Sequence, residues 1–333
     1  MSAPATSTAP PGVRDRARAL LRQPWVGPTV ALILVYALFV ALRPETFARP
    51  DNLVTMARQT VVVGIAAVGM TLIIVSGGID LSVGSQVALT TVVVAMMLQH
   101  GASATSAALV GVAAAGLAGV VIGLLVVGLR MTPFIVTLGA MSVLRGLAKG
   151  LAREQKIDAP ARGLDDLLAV LPASKKWMLF PPGVWLLVAL AALVAAVLRF
   201  TRFGRHVFAI GSNEQTARLC GVRVPMTKVV VYALAALLAG VAGVMEFGTL
   251  TVGDPTDSIG LELEVIAAVV IGGGSLSGGE GSVLGALVGA FLMTVIKTGA
   301  THVGLPSWVQ EIVTGVIIVV AVAADRLRHR RRR

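Results

Sequence analysis

The stretch Gly77-Gly78-Ile79-Asp80-Leu81-Ser82-Val83-Gly84-Ser85 sits between two apolar runs, about 60–76 before it and about 84–98 after it. The two glycines end the first run, and the second begins after Ser82. Asp80 and Ser82 are both residue types that cap helix starts. An ionisable group flanked by apolar spans is costly unless it faces a cavity or a partner. The stretch therefore reads either as a capped turn or as a break that exposes backbone amides and Asp80 to a polar pathway. Either way its neighbours are membrane-crossing helices.

The rest of the chain agrees. Of 333 residues, 56% are hydrophobic and only 14% charged, against about 25% charged in a soluble domain. So few charges could not cover so much apolar surface in water, and disorder is excluded for the same reason. The apolar runs are continuous, which argues against the alternating strands of a lipid-embedded barrel. One cysteine, Cys220, excludes a disulfide framework and a multi-cysteine metal site. His100, His206, His302 and His329 are scattered, without metal-ligand spacing. Hydrolase and phosphate-loop signatures are missing, so the sequence predicts neither an enzyme nor a protein that hydrolyses ATP itself.

Apolar runs fall at about 25–42, 60–76, 84–98, 104–129, 134–148, 183–199, 229–250, 263–274, 283–297 and 308–324. A full crossing needs roughly 20 residues. The runs predict an all-α polytopic membrane protein of about ten transmembrane helices, with 263–274 and 283–297 notably short. Arg14, Arg16, Arg18 and Arg22 precede the first run, and Arg326, Arg328 and Arg330 to Arg333 follow the last. Cytoplasmic flanks collect Lys and Arg. This organisation gives a cytoplasmic arm over 1–24, a transmembrane domain over 25–325 and a basic cytoplasmic tail over 326–333. Alternation then puts 149–182 outside and 200–228 inside. The net charge of +11 thus points to the membrane surface and not to nucleic acid.

A second glycine-rich stretch, Gly272-Gly273-Gly274-Ser275-Leu276-Ser277-Gly278-Gly279-Glu280-Gly281-Ser282, echoes the first: Gly-Gly, then Leu-Ser, then Gly. Breaks of this kind tend to line a substrate path, the alternative being tight surface turns. Glu246, Glu262, Glu264 and Glu311 lie near span ends, and Glu264, at the start of a short run, is the one placed to face a path. Small residues recur every four positions at Gly111, Ala115, Gly119 and Gly123, and again at Gly281, Gly285 and Gly289. Such faces let helices approach closely, within one subunit or between two. In the loop 204–221, Ser212 or Asn213 can cap a short helix stopped by Gly221. A short cytoplasmic helix of this sort suits docking of a soluble partner.

These constellations together resemble the ribose-type membrane permease subunits of bacterial ABC importers, in the branched-chain amino acid/ribose permease superfamily. Residues 77–85 are similar to that family's hallmark segment. Thr132 to Gly146 (TPFIVTLGAMSVLRG) is similar to its PFI-x-TLG stretch, 204–221 to its ATPase-docking segment, and Leu263 to Gly281 to its second glycine-rich signature. The resemblance spans roughly 50–325. It implies a type-II-like importer fold with broken helices, in a bacterial inner membrane with both termini cytoplasmic. Its partners would be a cytoplasmic ABC ATPase, an extracytoplasmic sugar-binding protein and a second permease copy. The chain would hold no cofactor; ATP and Mg would belong to the ATPase. The path candidates are Asp80, Ser82, Ser85, Phe134, Thr137, Glu264, Ser275 and Ser277. The docking candidates are Arg205, Gly211, Ser212, Asn213, Glu214, Ala217 and Gly221. Ser212, Leu261 and Lys297 depart from the family's usual residues. The cargo expected is a monosaccharide, ribose- or xylose-like. A nucleoside, a sugar-derived signal or an ion-coupled secondary transporter are the alternatives.

Overall fold

The computed structural model describes residues 25–330. The arm 1–24 and the last three arginines of the tail lie outside the described residues. Thirteen α-helices are present among the described residues: α1 (Val26–Leu42), α2 (Pro44–Phe47), α3 (Pro50–Val75), α4 (Val83–Gln99), α5 (Ala104–Gly128), α6 (Pro133–Leu151), α7 (Pro182–Phe200), α8 (Arg202–Ser212), α9 (Glu214–Leu219), α10 (Val224–Leu250), α11 (Leu261–Ile271), α12 (Val283–Val303) and α13 (Ser307–Arg330). Each of the ten apolar runs lies on a helix of its own. Six of these helices, α3, α5, α6, α7, α10 and α12, are long and apolar enough to cross a membrane. Shorter apolar helices cover Val26–Leu42, Val83–Gln99 and Ser307–Ala323. The run expected to be short at 283–297 continues as helix to Val303, because Lys297 and the threonines after it are held by polar neighbours. Of the helices on the ten runs, only α11, with 11 residues, is truly short.

Helix starts follow simple chemistry. Proline stands in the first turn of α3, α6, α7 and α10, where its missing N–H costs nothing. Ser103 caps α5 and Ser282 caps α12 through their side chains. Several elements had no forecast, among them α2. The turn after Phe200 is itself helical (α8), capped by Thr201 Oγ1, which accepts from Gly204 N at 3.1 Å. Strands β1 (Ile157–Asp158) and β2 (Val252–Gly253) form a two-residue antiparallel ladder, Ile157 opposite Gly253 and Asp158 opposite Val252. The ladder ties the 149–182 segment to the far end of α10, and Lys156 Nζ holds Asp254 at 2.9 Å beside it.

α3 is the buried axis. Its residues from Val61 to Val75 are almost all inaccessible, including Ile65, Met70, Ile73 and Ile74. α10 packs on α3, α4 and α5. The small-residue stripes serve packing within the chain. Gly119 and Gly123 face Tyr232, Ala233 and Val229 of α10, and Gly285 and Gly289 face the backbone of Gly272 and Ala268 on α11.

Two elements stop part way along the bundle. Gly111 of α5 faces Thr90 and Val94 of the antiparallel α4. That register sets Val83 level with about residue 120, roughly 12 Å short of the end of α5. A Cβ on Gly84 would stand 2.6 Å from Glu262 Oε2, so α11 begins at the same level. The segment 251–260 reaches it by running from the ladder end down α4, past Thr91 and Val92 beside Gly253. Arg145 of α6 pins this descending segment, donating to the carbonyls of Pro255 at 3.0 Å and Asp257 at 2.6 Å.

The packing yields a paired test. A side chain at Gly289 would collide with the Ala268 carbonyl, whereas a Cβ at Gly139 meets nothing within 4 Å. Gly289→Val is expected to destabilise by about 1–3 kcal/mol or more, and Gly139→Ala to stay within about 0.5 kcal/mol, both read as melting midpoints in detergent.

Candidate functional site

The first break, residues 76–82, leaves α3 at the 200–228 end and climbs to the start of α4. Ser82 occupies the N-cap position of α4 but makes no capping bond. It turns to Asp80 instead. Asp80 Oδ1 accepts from Ser82 N at 2.7 Å and Ser82 Oγ at 2.6 Å, and Oδ2 accepts from Gln86 Nε2 at 3.1 Å. Asp80 is 3% exposed and belongs to no ion pair found among the described residues. Hydrogen-bond donors alone stabilise its buried side chain. The Ile79 carbonyl accepts from Thr137 Oγ1 and Tyr232 Oη, both at 3.4 Å, so α6 and α10 clasp the break from two sides. Ser85 Oγ and Gln86 Oε1 are buried without a protein partner, as is Glu262 Oε2. Orphaned buried polar atoms cost roughly 1–3 kcal/mol each, and they surround the point where α4 and α11 begin.

The second break lies at the 200–228 end. Gly279 N donates to the Val75 carbonyl at 2.9 Å, fastening it to the end of α3. Gly278 has φ +83°. A Cβ there would stand 2.8 Å from Gly77 Cα and 2.7 Å from Gly211 O. The two glycine breaks, 195 positions apart at Leu81 and Leu276, thus meet each other and the last turn of α8 at one backbone junction. Ser275 Oγ donates to Asp325 Oδ2 of α13 at 3.3 Å and accepts from Ser277 N at 3.2 Å. Ser275 is buried and Ser277 exposed.

The path candidates therefore separate. Asp80, Ser82, Ser85 and Thr137 gather around the first break. Ser275 and Ser277 sit at the glycine junction. Phe134 is 50% exposed on the flank of α6. Glu264 is elsewhere, paired with Lys297 in a polar cavity of about 480 Å³ that also takes in Arg58, Gln59, Glu246 and Asp257. Tyr232 and Gln86 were missed from the sequence, and Glu262 was noted only as a residue near a span end. Only the local i, i+4 spacing of Ser82 and Gln86 could have signalled one of them.

The docking candidates lie on or beside α8 and α9, with Gly211 turned into the glycine junction. Asn213 Oδ1 accepts from Thr216 N at 2.9 Å and caps α9, which ends before Gly221 at φ +81°. Glu214 reaches Lys228 at 2.7 Å and Arg218 at 2.8 Å. The Lys228 ammonium holds the Glu214 carboxyl below its ordinary range against partial burial, and Arg218 adds to it. That contribution is complete above the ordinary carboxylate pKa and fades as pH falls through the lowered one. Ala217 is buried, anchoring α9 with Ile210 and Val224. Arg205, Ser212 and Asn213 are exposed. Leu219, not foreseen, is 89% exposed at the tip.

A bundle of apolar helices, broken by buried polar turns and carrying an exposed helical elbow at one end, is a membrane transport permease. The chain belongs to the family described as branched-chain amino acid transport system / permease component, whose pattern matches residues 52–322. It is 37% identical to the ribose import permease protein RbsC of Escherichia coli strain K12 over 296 residues, 89% of this chain and 92% of that one. With RbsC of Bacillus subtilis strain 168 the identity is 36%, over 90% and 92% of the two chains. With the galactose/methyl galactoside import permease protein MglC of E. coli K12 it is 33%, over 92% and 96%. The resemblance carried by the four motifs is thereby matched along nearly the whole chain. No solved structure matches it.

Asp80→Ala strands the Ser82 amide and weakens the hold on Gln86. It is expected to cost about 2–3 kcal/mol, and Asp80→Asn less, in melts of the detergent-solubilised permease.

Proposed function

We propose that this chain is the permease subunit of an ATP-driven importer that carries a monosaccharide, ribose- or xylose-like, into the cell. The relatives named for ribose and galactose import support the cargo class. The apolar runs support ten crossings, with α1, α4, α11 and α13 completing the six long ones, and the basic flanks support cytoplasmic termini. On this reading the fold is type-II-like, two permease copies flank the path, and an extracytoplasmic binding protein delivers sugar at the 149–182 end. The chain needs no cofactor of its own; ATP and Mg serve the partner ATPase.

The contact of α8 with both glycine breaks carries the mechanism. An ATPase seated on α8 and α9 moves Gly211 and Ser212 when its dimer closes. Those residues lie against Gly77, Gly278 and Gly279, so the displacement enters both breaks without an intermediary. The first break bears Asp80, Ser82 and the Thr137 contact, and its shift relocates the polar groups at the start of α4. Ser85, Gln86 and Glu262 offer unpartnered polar atoms that suit water and sugar hydroxyls. The permease binds sugar weakly, since affinity resides in the delivery protein. Only differential binding of the two states shifts the balance, and ATP supplies it.

Co-reconstitution of permease, ATPase and binding protein in liposomes tests this. Sugar-loaded binding protein should stimulate ATP hydrolysis and uptake. Leu219→Asp on the exposed tip, and Asn213→Pro at a φ of −159° closed to proline, should each lower coupling about tenfold, the loss of one interface hot spot. Uptake by the permease alone, driven by an ion gradient, would defeat the proposal.

A further inference from the structure

The outward faces of α5 and α6 do not close on each other. Between them runs an apolar groove of about 580 Å³, floored by Leu89 and walled by Leu117, Val121, Gly139 and Val143 among others, all apolar. From Ala114 to Leu129 along α5 it is roughly 22 Å long, more than the half of an about 30 Å hydrocarbon core that one leaflet's chains fill. The groove has a charged mouth. Met131 lines both it and a polar cavity of about 850 Å³ at the 200–228 end. That cavity presents Arg130, Arg218 and Lys228. Its acid, Glu214, is already engaged by Arg218 and Lys228. Arg130 joins no ion pair among the described residues and stands exposed in the turn between the helices, at φ +52°.

An apolar slot that opens at one end onto surplus positive charge has the shape and polarity of an anionic amphiphile. We infer that this groove is a binding site for one anionic phospholipid of the leaflet at the 200–228 end, its acyl chain between α5 and α6 and its phosphate at Arg130. A second copy of the chain is the weaker occupant. The groove face of α6, through Ile135, Gly139, Val143 and Leu147, is wholly apolar, while its other exposed face carries Ser142, Gly146 and Lys149 and is the better match for a protein surface around a polar path. The headgroup would lie against α9, beside the elbow proposed for docking, yet lipid binding itself does not depend on transport.

Native mass spectrometry of the full permease, with phosphatidylglycerol and phosphatidylcholine added in equal amounts, tests the site. The wild type should retain phosphatidylglycerol preferentially, one per chain. Arg130→Gln should cut the preference about fivefold, the effect of one basic side chain at an anionic surface. Gly139→Phe, which places its ring in open groove space, should abolish retention while leaving helicity and melting unchanged. Equal retention of the two lipids by the wild type overturns the inference. So does retention unaffected by Gly139→Phe, or a Gly139→Phe variant that instead separates two permease copies. If Gly139→Phe fails to insert, Arg130→Gln still decides through the preference.

Discussion

Where Gly278 meets Gly77 and Gly211, three stretches of backbone approach closer than any side chain permits. A single Cβ on Gly278 would stand inside van der Waals contact of both partners, and its φ of +83° is open to glycine at little cost. The rest of the permease follows from that contact. It fixes the end of α3, the turn before α12 and the last turn of α8 as one unit. It also sets where the first break must begin, and hence how far along the bundle α4 can start.

The breaks are affordable because their polar groups are answered locally. Asp80 is satisfied by an amide, a hydroxyl and a carboxamide within six residues of itself, and Ile79 by side chains from α6 and α10. Non-helical backbone at the depth of a bilayer persists only under such conditions. The few atoms left unanswered, on Ser85, Gln86 and Glu262, cluster at the joint of two part-length helices. On the proposed function, that joint is where polar capacity toward a substrate is held.

Much of this was legible beforehand. Continuous apolar runs located ten helices, since a helix in lipid has no alternative way to satisfy its backbone. A cap at Ser212 or Asn213 and the stop at Gly221 were readable because both are local chemistry, and the structure chose Asn213. Gly77 and Gly278 announced breaks for the same reason. The eight path candidates, by contrast, came from residue type and local motif, which carry no address in the packed bundle. Ser82 and Ser277 stand in the same Leu-Ser pattern, yet one is fully buried beside Asp80 and the other exposed at the glycine junction. Glu264 lies beside Lys297, in a cavity that no pattern in the sequence indicated.

Composition, run length and turn chemistry thus determined that the chain is a helical membrane protein with two glycine breaks and a capped elbow, because each depends on interactions within a few residues, while its motifs carried the resemblance to permeases. Tertiary structure alone decided that the breaks and the elbow share one junction, that Tyr232 and Thr137 clasp Ile79, and that α5 and α6 leave a groove between them. Those facts rest on contacts between residues up to 204 positions apart, as Val75 and Gly279 are, and only the packing of the whole bundle sets such distances.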